Sequence, residues 1–335
     1  MTSTGGQVIL KASRLWAALC LVVSAVGLQA TAGPVPAAER YARKCRRSGG
    51  ERILVPQGTM LWGTRPDWTG QPGSDARQSV LVSASLERVA WPGKGSASLK
   101  LEGGHLAGEG IVGSVLRGKA SDGRPVEVAI CEAEPSLEDP GIVRYRIEVW
   151  NEVAQEWDNP CVATGAFPDP RAIAVGGVWD TTGARHDAAR ELTFACEAGV
   201  ISKCISWGYR PWDNRNGVSL VDAHQACTRM ARADYCGDGT SHTHESTTID
   251  YYDSLGVARR TTERSPAWDP SQATFEAAWA PDGATCFSRT RDGRAPEEIL
   301  QGCPGRFHAG AAELGDGDRC RFQRTDAGAP VLRNR

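Results

Sequence analysis

The sequence predicts an α+β fold: an antiparallel, β-rich amino-terminal half feeding a cysteine-rich unit with two short helices and β-hairpins. Three observations carry that expectation. Short apolar runs, several alternating with a period of two, recur from Ile53 to Trp150 and are separated by Gly, Pro, Asp and Ser clusters. Past Asp187 the apolar period lengthens to that of helices. The cysteines, 11 in all, fall after residue 44 with the single exception of Cys20.

Lys11 and Arg14 precede an apolar run from Leu15 to Leu28, and Ala30-Thr31-Ala32 follows. This is a secretory signal over residues 1–32, with cleavage after Ala32 or, as second choice, Ala30. The run is shorter than the ~20 residues a membrane span needs, so no transmembrane anchor is expected after cleavage. The lipoprotein alternative would use Cys20, but bulky Leu19 stands where such signals carry a small residue.

Cleavage would leave ten cysteines (Cys45, Cys131, Cys161, Cys196, Cys204, Cys227, Cys236, Cys286, Cys303 and Cys320) and a formal charge of 36 − 40 = −4. An even cysteine set in an exported chain reads as disulfides. Connectivity stays open, with the near neighbours Cys196–Cys204 and Cys227–Cys236 favoured. Acidic and basic residues are interspersed, without the basic stripe a nucleic-acid partner needs. The candidate partners are a carbohydrate or a protein of the cell envelope.

Residues 33–52 show almost no periodicity and are expected to be a flexible lead pinned at Cys45. Strands are expected at 53–55, 60–63, 79–86, 96–104, 110–118, 126–131 and 143–150, within a β-rich region 53–180 built as a sandwich or barrel. In the last of these, Val143, Tyr145, Ile147 and Val149 alternate with Arg144, Arg146 and Glu148, which puts the first set inside and the charges in water. A core unit spans 187–260. Within it Val200, Ile201, Cys204 and Ile205 mark a helix that Gly208 and Pro211 end. A second helix is capped by Ser219, with Leu220, Ala223, His224, Cys227, Met230 and Ala231 on one face and Gln225, Arg229 and Arg232 on its polar side. A hairpin is expected at 247–257. A further hairpin flanks Pro281-Asp282-Gly283, and a helical turn begins at Pro296, in an extension 261–326 that packs on the core. Residues 327–335 read as a frayed tail.

The strings KCISWGYRPW, HQACTRM, RADYCGDG and TIDYYD, within 199–253, resemble the ADYC domain family of bacterial exported proteins. The tetrapeptide of the name stands here at Ala233-Asp234-Tyr235-Cys236. The resemblance implies export and a shared architecture. It carries no catalytic residue across.

Candidate site residues must therefore come from their own chemistry. The spacing His224-x2-Cys227-x8-Cys236-x5-His242-x-His244 is the one that can hold a metal, since i and i+3 share a helix face and i and i+2 a strand face. In an oxidising compartment the two thiols close disulfides instead. That leaves His224, His242, His244 and Asp250 as candidate zinc ligands and Asp238, in the Gly237–Gly239 loop, as a candidate calcium ligand. His224, Asp234 and Tyr235 are the candidate catalytic groups. Trp207, Tyr209 and Trp212 would suit a sugar platform if exposed. No cofactor is expected, zinc or calcium being the alternative. No G-x-S-x-G elbow or protease signature is present. The expected function is a structural or binding module of the cell envelope or exterior, stabilised by disulfides. The alternative is a metal-dependent hydrolase built on His224, His242, His244 and Asp250.

Overall fold

The structure is a computed structural model that describes residues 35–46, 63–64, 82–94, 99–244, 247–326 and 328–335. The expected signal over 1–32 and the strands expected at 53–55 and 60–63 lie outside these residues, Gly63 apart. The first half comprises α1 (Ala37–Arg43), β1 (Val82–Trp91), β2 (Lys100–Glu102), β3 (His105–Ala107), β4 (Val115–Ala120), β5 (Pro125–Pro135), β6 (Val143–Asn151), β7 (Glu156–Asp158), β8 (Ala172–Gly176), β9 (Val178–Trp179), β10 (Arg185–His186) and β11 (Glu191–Cys196). The second comprises α2 (Val200–Ser206), β12 (Asn214–Arg215), β13 (Val218–Ser219), α3 (Val221–Arg232), β14 (Tyr251–Asp253), β15 (Ala277–Ala280), β16 (Gly283–Phe287), α4 (Pro296–Gly302), β17 (Phe307–Gly315), β18 (Asp318–Arg324) and β19 (Leu332–Asn334).

Strands β5-β4-β1-β11-β8-β6 pair in that order, and β5 pairs again with β6, so the sheet closes into a six-stranded antiparallel barrel with β7 added on β6. Closure follows from alternation. Val82, Ala84, Leu116, Val128, Ile130, Tyr145, Ile147, Val149, Leu192 and Phe194 all turn inward and fill it. Closing the sheet also removes the edges that would otherwise invite pairing with other chains.

Two expectations in this half are corrected. Residues 37–43 of the presumed flexible lead form α1, and Tyr41 is buried between the Trp91 and Trp157 rings, its hydroxyl donating to Glu127 at 2.8 Å. A seven-residue helix shows no stripe in sequence; tertiary contacts hold it, together with the Cys45–Cys131 disulfide. Arg146 and Glu148, expected in water, are buried and paired with each other. Glu148 accepts the Cys45 backbone N–H at 2.6 Å and an Arg146 N–H at 3.0 Å.

The second sheet, order β14-β19-β15-β16-β18-β17, is open and antiparallel. Helix α3 lies on it, and α2 is stapled to α3 by Cys204–Cys227. The helices expected in this half and the hairpin across Pro281-Asp282-Gly283 are present. Leu220, not Ser219, occupies the cap of α3, while the Ser219 hydroxyl accepts the Val221 N–H at 3.3 Å.

Three expectations here are corrected as well. The favoured pairs Cys196–Cys204 and Cys227–Cys236 do not form: the bonds are Cys161–Cys196, Cys204–Cys227, Cys236–Cys303 and Cys286–Cys320. Cys227 faces α2, whereas the turn at Ala233 carries Cys236 to the other side, against α4. The 247–257 hairpin is absent. β14 pairs instead with β19, and the Asp253 carboxylate closes the following turn by accepting the N–H groups of Leu255, Val257 and Ala258. The tail is not frayed, because Leu332 and Asn334 of β19 are fully buried and Asn334 accepts the Trp279 indole N–H at 2.8 Å. Gln225, Arg229 and Arg232, on the polar side of α3, are buried, the β9–β10 hairpin meeting Gln225 and Arg229 there. Gln225 donates to Gly183 O at 2.7 Å and accepts the Trp179 N–H at 3.0 Å. Barrel, helices and second sheet thus belong to one compact unit, Pro36–Arg335.

Candidate functional site

Helix α3 ends at Ala233, whose φ of +51° reverses the chain while its N–H bonds the Met230 carbonyl. Alanine in this left-handed conformation costs roughly 1–2 kcal/mol. Ala233 is nevertheless fully buried, its methyl group part of the core under α3. The reversal drives Asp234 back under the helix. There one carboxylate oxygen accepts an Arg229 N–H at 2.6 Å and the Gly239 N–H at 3.1 Å, both charged side chains being almost wholly buried. Arg229 also donates to Thr182 O at 2.6 Å and to Pro281 O at 3.2 Å, so it touches the β9–β10 turn of the barrel half and the β15–β16 turn of the second sheet. Arg232 donates to Gly239 O.

Tyr235 is fully buried against Trp279, Phe287 and His242. Its hydroxyl donates to Glu276 at 3.1 Å and accepts the Arg291 backbone N–H at 2.9 Å. Burial and the Glu276 charge push the phenol well above its ordinary pKa, so it stays protonated. Glu276 is in turn saturated by Arg291 and Asn334. Cys236 closes the set through Cys303. Each residue of the tetrapeptide has an internal role, and the second Asp234 oxygen is buried with no hydrogen-bond partner among the described residues.

The remaining candidates scatter. His224 is fully buried on the other flank of α3, Nε2 at 3.2 Å from the Ile201 carbonyl and the ring edge-on to Trp179. Burial lowers its pKa to about 4, so it is neutral at pH 7. His242 is buried beside Tyr235 with Nδ1 3.9 Å from an Asp292 oxygen; burial, then the Arg294 charge, lowers its pKa. Asp250 accepts from the Arg335 guanidinium at 2.9 Å and from the Thr261 hydroxyl at 2.7 Å. Asp238, on the surface, accepts the Thr240 N–H at 2.8 Å. His244 is exposed. Among the described residues, no three of His224, Asp238, His242, His244 and Asp250 bring ligand atoms within 4.8 Å of one another. Tyr209 is buried and Trp207 stacks on Tyr251 at 4.5 Å, so the aromatic group around Pro211 packs inward.

Two open grooves lie elsewhere. One groove of about 540 Å³ runs along the outer barrel face between α1, β1, β4 and β5. A second, of about 1070 Å³, lies against β1, β2, β8 and the β10–β11 segment. Neither has a lining residue between Gly199 and Asp253. Sequence reasoning pointed to neither groove: the residues that line them are brought together by barrel closure and form no local motif.

The ADYC domain matches residues 108–293, from just before β4 to just beyond β16. The chain belongs to the ADYC domain family. The match takes in most of the barrel as well as the cysteine-rich unit, in keeping with the α3 contacts that join the two. No curated protein and no solved structure matches the chain.

Proposed function

We propose that this ADYC domain protein is an exported binding module in which the signature block is the internal scaffold and the barrel presents the working surface. The observation that carries this reading is a division of labour: Ala233, Asp234, Tyr235 and Cys236 are all buried and engaged, while two open grooves among the described residues are lined by the barrel and α1. Export is supported by the pattern over residues 1–32 and by five disulfides, which persist in oxidising compartments.

The test is the intact mass of protein recovered from the exported fraction of expressing cells, before and after reduction and alkylation, with metal measured on the same sample. The expected chain begins after Ala32 or Ala30, takes up no alkyl group before reduction and ten after it, and holds no stoichiometric zinc or calcium. A chain that keeps residues 1–32, or one with free Cys227 and Cys236 and one zinc, would overturn the reading.

A further inference from the structure

The groove on the outer barrel face owes its shape to an irregularity of register. Ser83 pairs with Lys119 and Ala84 with Gly118, after which β1 spends four residues, Ser85 to Arg88, before Val89 pairs with Leu116, while β4 spends only Arg117. The surplus bulges β1 out of the sheet. Leu86 and Glu87 turn to the neighbouring groove, Ser85 and Arg88 to this one. Bulges of this kind re-aim side chains and are over-represented next to active sites.

Arg40, Arg88, Arg117 and Lys119 line the groove with Glu127, Glu152 and Glu191, a balance of 4 − 3 = +1. The charges are not evenly mixed. Glu127 is held by Arg40 at 2.8 Å and by the Tyr41 hydroxyl at 2.8 Å, and Arg40 also lies 3.5 Å from Glu152. Arg117 reaches Glu127 only at 3.9 Å, and neither Arg88 nor Lys119 has a carboxylate partner among the described residues. Trp150 lines the same groove, is 6% exposed, and its indole N–H has no acceptor among the described residues. Among the described residues the uncommitted groups are therefore three cations, Arg88, Arg117 and Lys119, and one N–H donor, against the single carboxylate of Glu191. The volume is that of a small-molecule site.

We propose that this groove binds a small ligand through an oxyanion group, a carboxylate or a phosphate, held by Arg88, Arg117 and Lys119 with Trp150 as a further donor. The proposal rests on the binding reading, but not on export or on the scaffold role of the signature block, which mass and stability measurements test independently.

The experiment is isothermal titration of the mature full chain with citrate and, separately, with inorganic phosphate, at low ionic strength and again at ~0.15 M salt. One ion per chain is expected, with affinity falling as salt rises. The Arg88→Ala, Lys119→Ala double variant, both positions being exposed, should keep the wild-type melting temperature and lose about tenfold or more in affinity, since each exposed charge contact removed is worth a few-fold. Trp150→Phe should weaken binding at unchanged salt dependence. Tighter citrate binding would assign a carboxylate ligand and tighter phosphate binding a phosphorylated one. No saturable binding of either ion, or a double variant that binds like wild type, would overturn the proposal.

Discussion

His224 lies buried on α3 against α2, with Nε2 on the Ile201 carbonyl and Nδ1 without a partner among the described residues. Burial, reinforced by the nearby Arg185 charge, lowers its pKa from 6.5 to about 4. Between those values the unfolded chain takes up a proton that the folded chain refuses, so stability is complete above pH 6.5 and falls as pH drops through 4. The shift corresponds to about 3 kcal/mol. His242, also lowered by burial, acts in the same direction. Urea unfolding at pH 7.5 and pH 4 should show wild type losing about 3 kcal/mol more than His224→Gln. Equal losses would mean that His224 is not held neutral. At this scale the sequence showed which residues were dense in chemistry, but not their partners. Tyr235 and Cys236 meet Glu276, Arg291 and Cys303, which are distant in sequence, and a hydrogen bond between distant residues leaves no local pattern.

Elements were legible where a stripe ran long enough to show. The alternation in β6, the faces of α2 and α3, and the Pro-Asp-Gly turn between β15 and β16 each announced themselves. α1 and β19 did not, being seven and three residues long and ordered by one or two anchors each: Tyr41 and a disulfide for the first, Leu332 and Asn334 for the second. The loop after α3 gives a test at this scale. Gly237 has φ +70°, and a Cβ there would overlap the Asp282 carbonyl. Gly237→Ala should therefore destabilise by at least about 2 kcal/mol, combining left-handed strain with displacement of the β15–β16 turn. Thermal unfolding by circular dichroism reads this directly; a variant as stable as wild type would show that the loop and the turn are not in contact.

At the scale of the whole molecule, barrel and second sheet meet through α3, and the Arg229–Asp234 pair is the joint. One guanidinium reaches Thr182 O on the barrel side, Pro281 O on the sheet side and the signature Asp, all out of water. Closure of the barrel and the five pairings of its ten cysteines were beyond the sequence, because both depend on which strands become neighbours in space. The density of Arg, Asp, Tyr and Cys that made the signature block look like a reaction centre reflects the cost of burying charge: a buried ion needs partners, and the partners cluster with it. Denaturant unfolding of Asp234→Asn tests the scaffold claim most directly. The substitution keeps the shape and leaves Arg229 buried without its counter-charge, so the predicted loss is about 3–5 kcal/mol. A variant within about 0.5 kcal/mol of wild type would contradict the account and return the ADYC block to candidacy as a site.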